Sequence, residues 1–217
     1  MKSKVIFILP TLSMGGAEKM TVNIANILDK NIFDVSLLII DNRFIDLIDN
    51  VEQSVNIQYL NIIRTRYAFF GILFEIFKQK PQIVFSSTNR TNLLVLMVKL
   101  VYPFFKVILR EPSMPSLQIK NGNLSQTKHI LIKTLYPLAD IIIAQTDYMK
   151  DEIIKYFSLK KENVITIKNL LDKNIINSSI DDNIRLYDDK KVNFVCVGGL
   201  RKEKNQLKLV QVFSEII

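Results

Sequence analysis

Short apolar runs recur along the chain at residues 5–9, 35–40, 57–60, 83–86, 107–109, 141–144, 164–167 and 194–197, rich in Ile, Val and Phe. Runs of that length and composition read as strands, and their lack of polar alternation reads as burial on both faces. Between them the pattern changes to a helical period. Within residues 17–29, Ala17, Met20, Ile24, Ile27 and Leu28 share one face, and residues 91–102, 126–136 and 147–157 are further helix candidates. Proline agrees with these boundaries, since Pro81 precedes a strand and Pro103 and Pro137 close helices. The alternation predicts an α/β chain, a Rossmann-like doubly wound parallel sheet with helices on both faces.

The pattern breaks at residues 172–191, which are polar, rich in Asn and Asp, and end in Asp188, Asp189, Lys190 and Lys191. This stretch reads as a linker. A new strand, turn and helix follow at 193–199 and 205–217. The expected organisation is a first domain over residues 1–190, including the linker 172–190, and the truncated start of a second over 191–217. One strand and one helix cannot enclose a core, so the sequence reads as interrupted.

Composition adds two constraints. Hydrophobic residues make up 48% of the 217 and mean hydropathy is +0.18; this suits a sheet covered on both faces and leaves apolar surface for a membrane or a partner domain. The formal charge of +8 fits nucleic acid, an anionic bilayer or a phosphorylated substrate. The basic residues are scattered and not interleaved with aromatics, so nucleic acid is not an expected partner. Cys196 is the single cysteine, which rules out an intrachain disulfide. The apolar stretch at the start is too short for a signal peptide, and Lys99, Pro103 and Lys106 interrupt residues 92–109, the most membrane-like segment. A cytoplasmic protein without a membrane-spanning helix is expected.

Candidate chemistry begins at residues 10–19, where Gly15 and Gly16 follow the first strand and open the first helix. Paired glycines let a ligand approach the backbone closely, and a helix N-terminus favours phosphate. There is no G-x-G-x-x-G dinucleotide fingerprint, and a tight turn without a ligand remains an open alternative. Arg110 and Glu111 sit at the carboxyl end of an expected strand, where open α/β sheets bind ligands. Arg110 could clamp an acceptor phosphate and Glu111 could orient an acceptor hydroxyl; the alternative is a structural ion pair. His129, the only histidine, falls in an expected helix and reads more simply as a packing residue. The adjacent aspartates 181–182 and 188–189 read as solvated charges, and no Asp-x-Asp metal motif is present.

Four stretches, in order, resemble the family-4 retaining glycosyltransferases of the two-Rossmann GT-B fold. They are Met14-Gly15-Gly16-Ala17-Glu18; Tyr136 to Thr146 with Ala139-Asp140; Val164 to Asp172 with Asn169; and Phe194 to Gln206 with Gly198-Gly199. The resemblance implies a cleft between two domains, with the acceptor held mainly by the first and a nucleotide sugar by the second. It places Gly15, Gly16 and Lys204 at the donor phosphates, and Arg201 could reach the same phosphate; from their own positions Glu18 and Arg110 are the acceptor-side candidates and Glu111 the candidate catalytic group. No cofactor and no metal are expected, since basic side chains and a helix dipole would stabilise the leaving group. Gly199 stands where the family usually carries an arginine, and the histidine the family often has after a middle strand of its first domain is replaced by the neighbourhood of Arg110 to Pro115. The family's paired glutamates would lie beyond residue 217, so the donor site is not complete on this chain.

The implied activity is transfer of a sugar from a nucleotide sugar to a saccharide or lipid-linked acceptor in surface polysaccharide assembly. The alternatives are an inactive fragment or a non-catalytic acceptor-binding module. A separately encoded C-terminal domain is a further expected partner. Residues 67–77 and 93–105 are unusually apolar for helices, and with Arg64, Arg66, Lys78, Lys80, Lys99 and Lys106 nearby they suit either peripheral contact with the anionic inner face of a membrane or plain burial against the sheet.

Overall fold

The computed structural model describes residues 2–120, 126–170, 192–200 and 204–216. Seven strands form one sheet in the order β3-β2-β1-β4-β5-β6-β7, every neighbouring pair parallel. They are β1 (Ser3–Leu9), β2 (Phe33–Ile39), β3 (Asn56–Tyr59), β4 (Ile83–Ser86), β5 (Lys106–Arg110), β6 (Ile141–Ala144) and β7 (Val164–Thr166). The helices are α1 (Gly16–Ile27), α2 (Phe69–Gln79), α3 (Asn89–Val101), α4 (Pro115–Lys120), α5 (Gln126–Leu135), α6 (Asp147–Phe157) and α7 (Gln206–Ile216).

The unbroken apolar runs follow from the two-sided cover. Along β1, Val5, Phe7 and Leu9 pack with Leu12 and with Val22 and Ala25 of α1. Ile6 and Ile8 point the other way, into a core with Ile72 and Ile76 of α2 and Leu94, Val95 and Val98 of α3. Lys80 ends α2 in the left-handed region (φ 48°), its N–H donating to the Ile76 carbonyl.

Three expectations are corrected. Residues 194–197 form no strand: residues 192–200 are irregular, with Val192, Phe194, Val195, Val197 and Leu200 exposed. An apolar run becomes a strand only when a neighbour completes its ladder, and among the described residues none does; Phe194 meets the Phe213 ring, 4.8 Å away. The helix expected to reach residue 136 ends at Leu135, and Pro137 turns Tyr136–Leu138 into a 3₁₀ turn. The short helix α4, with Pro115 at its first position, was not expected. The linker expected at 172–190 lies outside the described residues.

Candidate functional site

The chain leaves β1 outward to β2 and β3, then returns to the other side of β1 for β4, which makes the β1/β4 border the topological switch point where open α/β sheets bind ligands. The β1–α1 turn forms one wall. It is braced by backbone bonds from Asp41 N–H to the Pro10 carbonyl, from Leu12 N–H to Phe44, and from Leu47 N–H to Leu12, each 2.9 Å. Arg43 grips the Asp41 carboxylate through Nε (3.0 Å to Oδ1) and Nη2 (2.7 Å to Oδ2), which orders the bracing segment and holds the Asp41 pKa below its ordinary 3.8.

The two glycines play different parts. Gly15 caps α1 with extended backbone (φ −73°, ψ 147°) and no side-chain cap. A Cβ placed there would collide with the Glu18 carboxylate, which folds back over the turn. A Cβ at Gly16 would meet nothing within 4 Å. A side chain at 15 would have to move the Glu18 carboxylate aside, one at 16 would displace nothing, and the surface in front of Gly16 is open at the N-terminus of a 12-residue helix.

At the far side of the switch, Arg110 and Glu111 close β5. Neighbours on a strand face opposite ways, and here each goes to its own partners. Arg110, 4% exposed, donates to Ser87 Oγ (3.2 Å) and to Asn169 Oδ1 (2.6 Å). Burial lowers its pKa and the Glu111 charge partly offsets this. Glu111, 1% exposed, accepts from the Tyr136 hydroxyl, and the Asn92 amide lies 3.4 Å from the same hydroxyl. Burial first, then the Glu111 charge and hydrogen bond, push the Tyr136 pKa well above 10, so this hydroxyl stays a donor. Gln145 completes the edge: Nε2 donates to the carbonyls of Glu111 (3.1 Å) and Pro112 (3.2 Å), and Oε1 accepts from Asn169 Nδ2 (3.2 Å).

Sequence reasoning did not single out Ser87 or Asn92, and named Tyr136, Gln145 and Asn169 only within the stretches that carry the resemblance. The available signal was positional, since Ser87, Gln145 and Asn169 are polar residues just past the ends of apolar runs. The other candidates stand apart. His129 lies against the rings of Tyr156 (6.4 Å) and Phe157 (6.0 Å), within a helix interface. Lys204 is exposed, its side chain running beside Gly198, whose φ of 151° side-chain-bearing residues rarely adopt. Arg201 lies outside the described residues. Among the described residues, no group of three or more His, Cys, Asp or Glu is placed to hold a metal, and no helix is long and apolar enough to cross a membrane.

A doubly wound parallel sheet with a glycine-lined helix N-terminus and a buried polar network at its carboxyl edge defines a Rossmann-like domain. Residues 14–174 match the sequence model of Glycosyltransferase Family 4, and the chain belongs to that family. It is 26% identical over 133 residues to the N-acetylgalactosamine-N,N'-diacetylbacillosaminyl-diphospho-undecaprenol 4-alpha-N-acetylgalactosaminyltransferase of Campylobacter jejuni, covering 61% of this chain and 36% of that protein. Among solved structures it resembles Anabaena HepE in complex with UDP and glucose (TM-score 0.62, 15% identity, 80% of this chain and 46% of that one). It also resembles a UDP-N-acetylglucosamine 2-epimerase (TM-score 0.60, 17% identity, 78% and 49%), so the fold alone does not select an activity. The chain spans between about a third and a half of the length of these proteins.

Proposed function

We propose that this chain is the acceptor-side domain, with the first part of the donor-side domain, of a glycosyltransferase that moves a sugar from a nucleotide sugar to a saccharide or lipid-linked acceptor in surface polysaccharide assembly. The bond from the sugar's anomeric carbon to the donor phosphate breaks, a bond to an acceptor oxygen forms, and the acceptor hydroxyl gives up its proton. Family membership and the diphospho-undecaprenol named for the Campylobacter relative support this reading. The observation that carries it is Gly16, whose missing side chain leaves open a helix N-terminus at the switch point.

In this reading the open N-terminus of α1 at Gly16 faces the donor phosphates, the Gly15 N–H being bonded to the Ser13 carbonyl (2.7 Å), with Arg201 and Lys204 joining it on the leaving diphosphate, where cations stabilise developing charge without a metal. Retention of configuration and the division into domains at residue 190 belong to the same proposal. Glu18 serves the acceptor side, whereas Arg110, 4% exposed and already donating to Ser87 Oγ and Asn169 Oδ1, orders the sheet edge beside it. Glu111 is assigned to positioning, because its sequestered carboxylate already holds Tyr136 and a substrate hydroxyl would have to displace that donor.

Peripheral membrane contact is the second part of the proposal. On α2 the inward residues Ile72 and Ile76 are buried, yet Phe70, Phe74 and Phe77 are 77%, 62% and 59% exposed on the outer face. Leu100, Val101 and Phe104 are exposed at the end of α3, and Phe77 and Phe104 both meet the Tyr102 ring. Lys80 and Lys106 flank this surface, whereas Lys99 is engaged by Asp140 at 3.6 Å. An apolar face rimmed with lysine fits an anionic bilayer.

The test of the site is calorimetric titration of the chain, wild type and Gly16→Val, with UDP and UDP-sugars. The variant should melt at the wild-type temperature and lose binding by about tenfold or more, as a side chain blocks the helix N-terminus. Equal affinity in the two proteins would remove this loop from the site.

A further inference from the structure

The segment after β3 returns toward the switch point along the carboxyl edge, Ile62 N–H bonding to the Ile40 carbonyl, before a 3₁₀ turn at Thr65–Tyr67 packs against α3. Between that turn and the first turn of α3 lies a groove of about 560 Å³ lined by Ile63, Arg64, Thr65, Arg66 and Arg90. Its charge is of one sign. Among the described residues every ion pair lies elsewhere, at Lys30–Glu52, Arg43–Asp41, Lys78–Glu75 and Lys99–Asp140.

Three arginines lining one concavity repel one another, because the groove is within reach of a Debye length of about 8–10 Å. An exposed arginine with nothing to bind ordinarily turns into solvent or finds a carboxylate. Here, among the described residues, the partner of this trio's side chains is the Tyr67 ring, 4.8 Å from the Arg66 guanidinium, which leaves its charge unneutralised. Planar guanidiniums in a hollow with a hydroxyl alongside match the tetrahedral oxygens of phosphate, which each can engage in bidentate fashion. The surroundings narrow the ligand further. Tyr67 and Phe70, both exposed, lead from the groove onto the aromatic stripe of α2. A molecule that satisfied both would carry an anionic phosphate head on an apolar chain.

We propose that this groove binds the diphosphate group of the acceptor, with the apolar chain lying toward Phe70 and Phe74. The inference rests on the reading of a lipid-linked acceptor given above, and it assigns that reading a residue set distinct from Gly15, Gly16 and Arg110.

The experiment uses the full chain, wild type, the triple variant Arg64→Ala/Arg66→Ala/Arg90→Ala, and the corresponding triple lysine variant. Inorganic pyrophosphate is titrated calorimetrically. Co-sedimentation is then measured with phosphatidylcholine vesicles carrying a polyprenyl diphosphate or phosphatidylglycerol at equal charge. Wild type should bind pyrophosphate and prefer the diphosphate vesicles; the alanine variant should lose about tenfold or more of both, and the lysine variant should recover only part. Pyrophosphate binding without vesicle preference supports the groove with a soluble diphosphate as its ligand. Equal retention on both vesicles with no arginine-dependent pyrophosphate binding overturns it, leaving a diffusely basic face. UDP binding measured in parallel separates the two readings. A wild type that binds UDP but not pyrophosphate condemns the groove alone, whereas arginine-dependent pyrophosphate binding without any UDP binding or sugar transfer counts against the transferase reading.

Discussion

Arg110 and the trio Arg64, Arg66 and Arg90 lie along the same sheet edge, yet they are built in opposite ways. Arg110 is buried, with hydrogen-bond acceptors from two other segments. The trio is exposed and shares one groove without a carboxylate. Arg43 is intermediate, half exposed but clamped on a buried aspartate. A buried charge persists only where the fold supplies its partners, so its removal is felt first by the fold. An exposed charge without a partner contributes little to the fold, so its removal is felt first by a ligand. The two ends of this series separate architecture from recognition within one residue type.

The largest expected effect comes from the buried end. Tyr136→Phe deletes the hydroxyl that Glu111 accepts from, leaving a sequestered carboxylate short of a donor. Such a loss costs about 2 kcal/mol. Urea unfolding should show a lower midpoint with an unchanged slope. A midpoint equal to wild type would mean that Glu111 is satisfied without Tyr136, and the network would lose its structural status.

The same contrast explains what the residues revealed before the fold was known. Buried strands are legible because two-sided cover demands continuous Ile, Val and Phe, and seven of the eight expected runs are strands. The exception, residues 194–197, has the right composition but no neighbouring strand, and pairing is a property of the neighbour. Gly15 and Gly16 were legible because paired glycines between an apolar run and a helical period stand out as a place where a ligand can approach the backbone. The Arg110 network was only half legible. Its charged members stand out, but Asn92, Tyr136 and Gln145 reach the site from α3, a 3₁₀ turn and the end of β6, and only the packing of those elements brings them together. The groove was hidden for the same reason, since 24 positions separate Arg66 from Arg90.

The intermediate case predicts a pH dependence. The folded Asp41 pKa lies below its ordinary value of 3.8, so between the two values the unfolded chain binds the extra proton. The pair's contribution is complete above the unfolded value and disappears as pH falls through the folded one. Asp41→Asn should therefore be less stable than wild type at pH 7, and the gap should close as unfolding is measured toward pH 3. A gap that stays constant over that range would show that the side chain acts through its shape and not its charge.

The smallest expected effect is the most discriminating. Replacing Arg64, Arg66 and Arg90 with alanine removes three cations from the surface, and if they serve the fold each should cost stability. The arrangement argues otherwise: they lack carboxylate partners, and their mutual repulsion is relieved on removal. Each change should alter unfolding free energy by no more than about 0.5 kcal/mol, and the triple variant should match or slightly exceed wild type at low salt. Adding salt should shrink that difference, because screening already relieves the repulsion in the wild type. A clear destabilisation would place these arginines with Arg110, as structural charges whose partners form in solution. Neutral stability together with lost diphosphate binding would leave recognition as the reason three like charges share one groove.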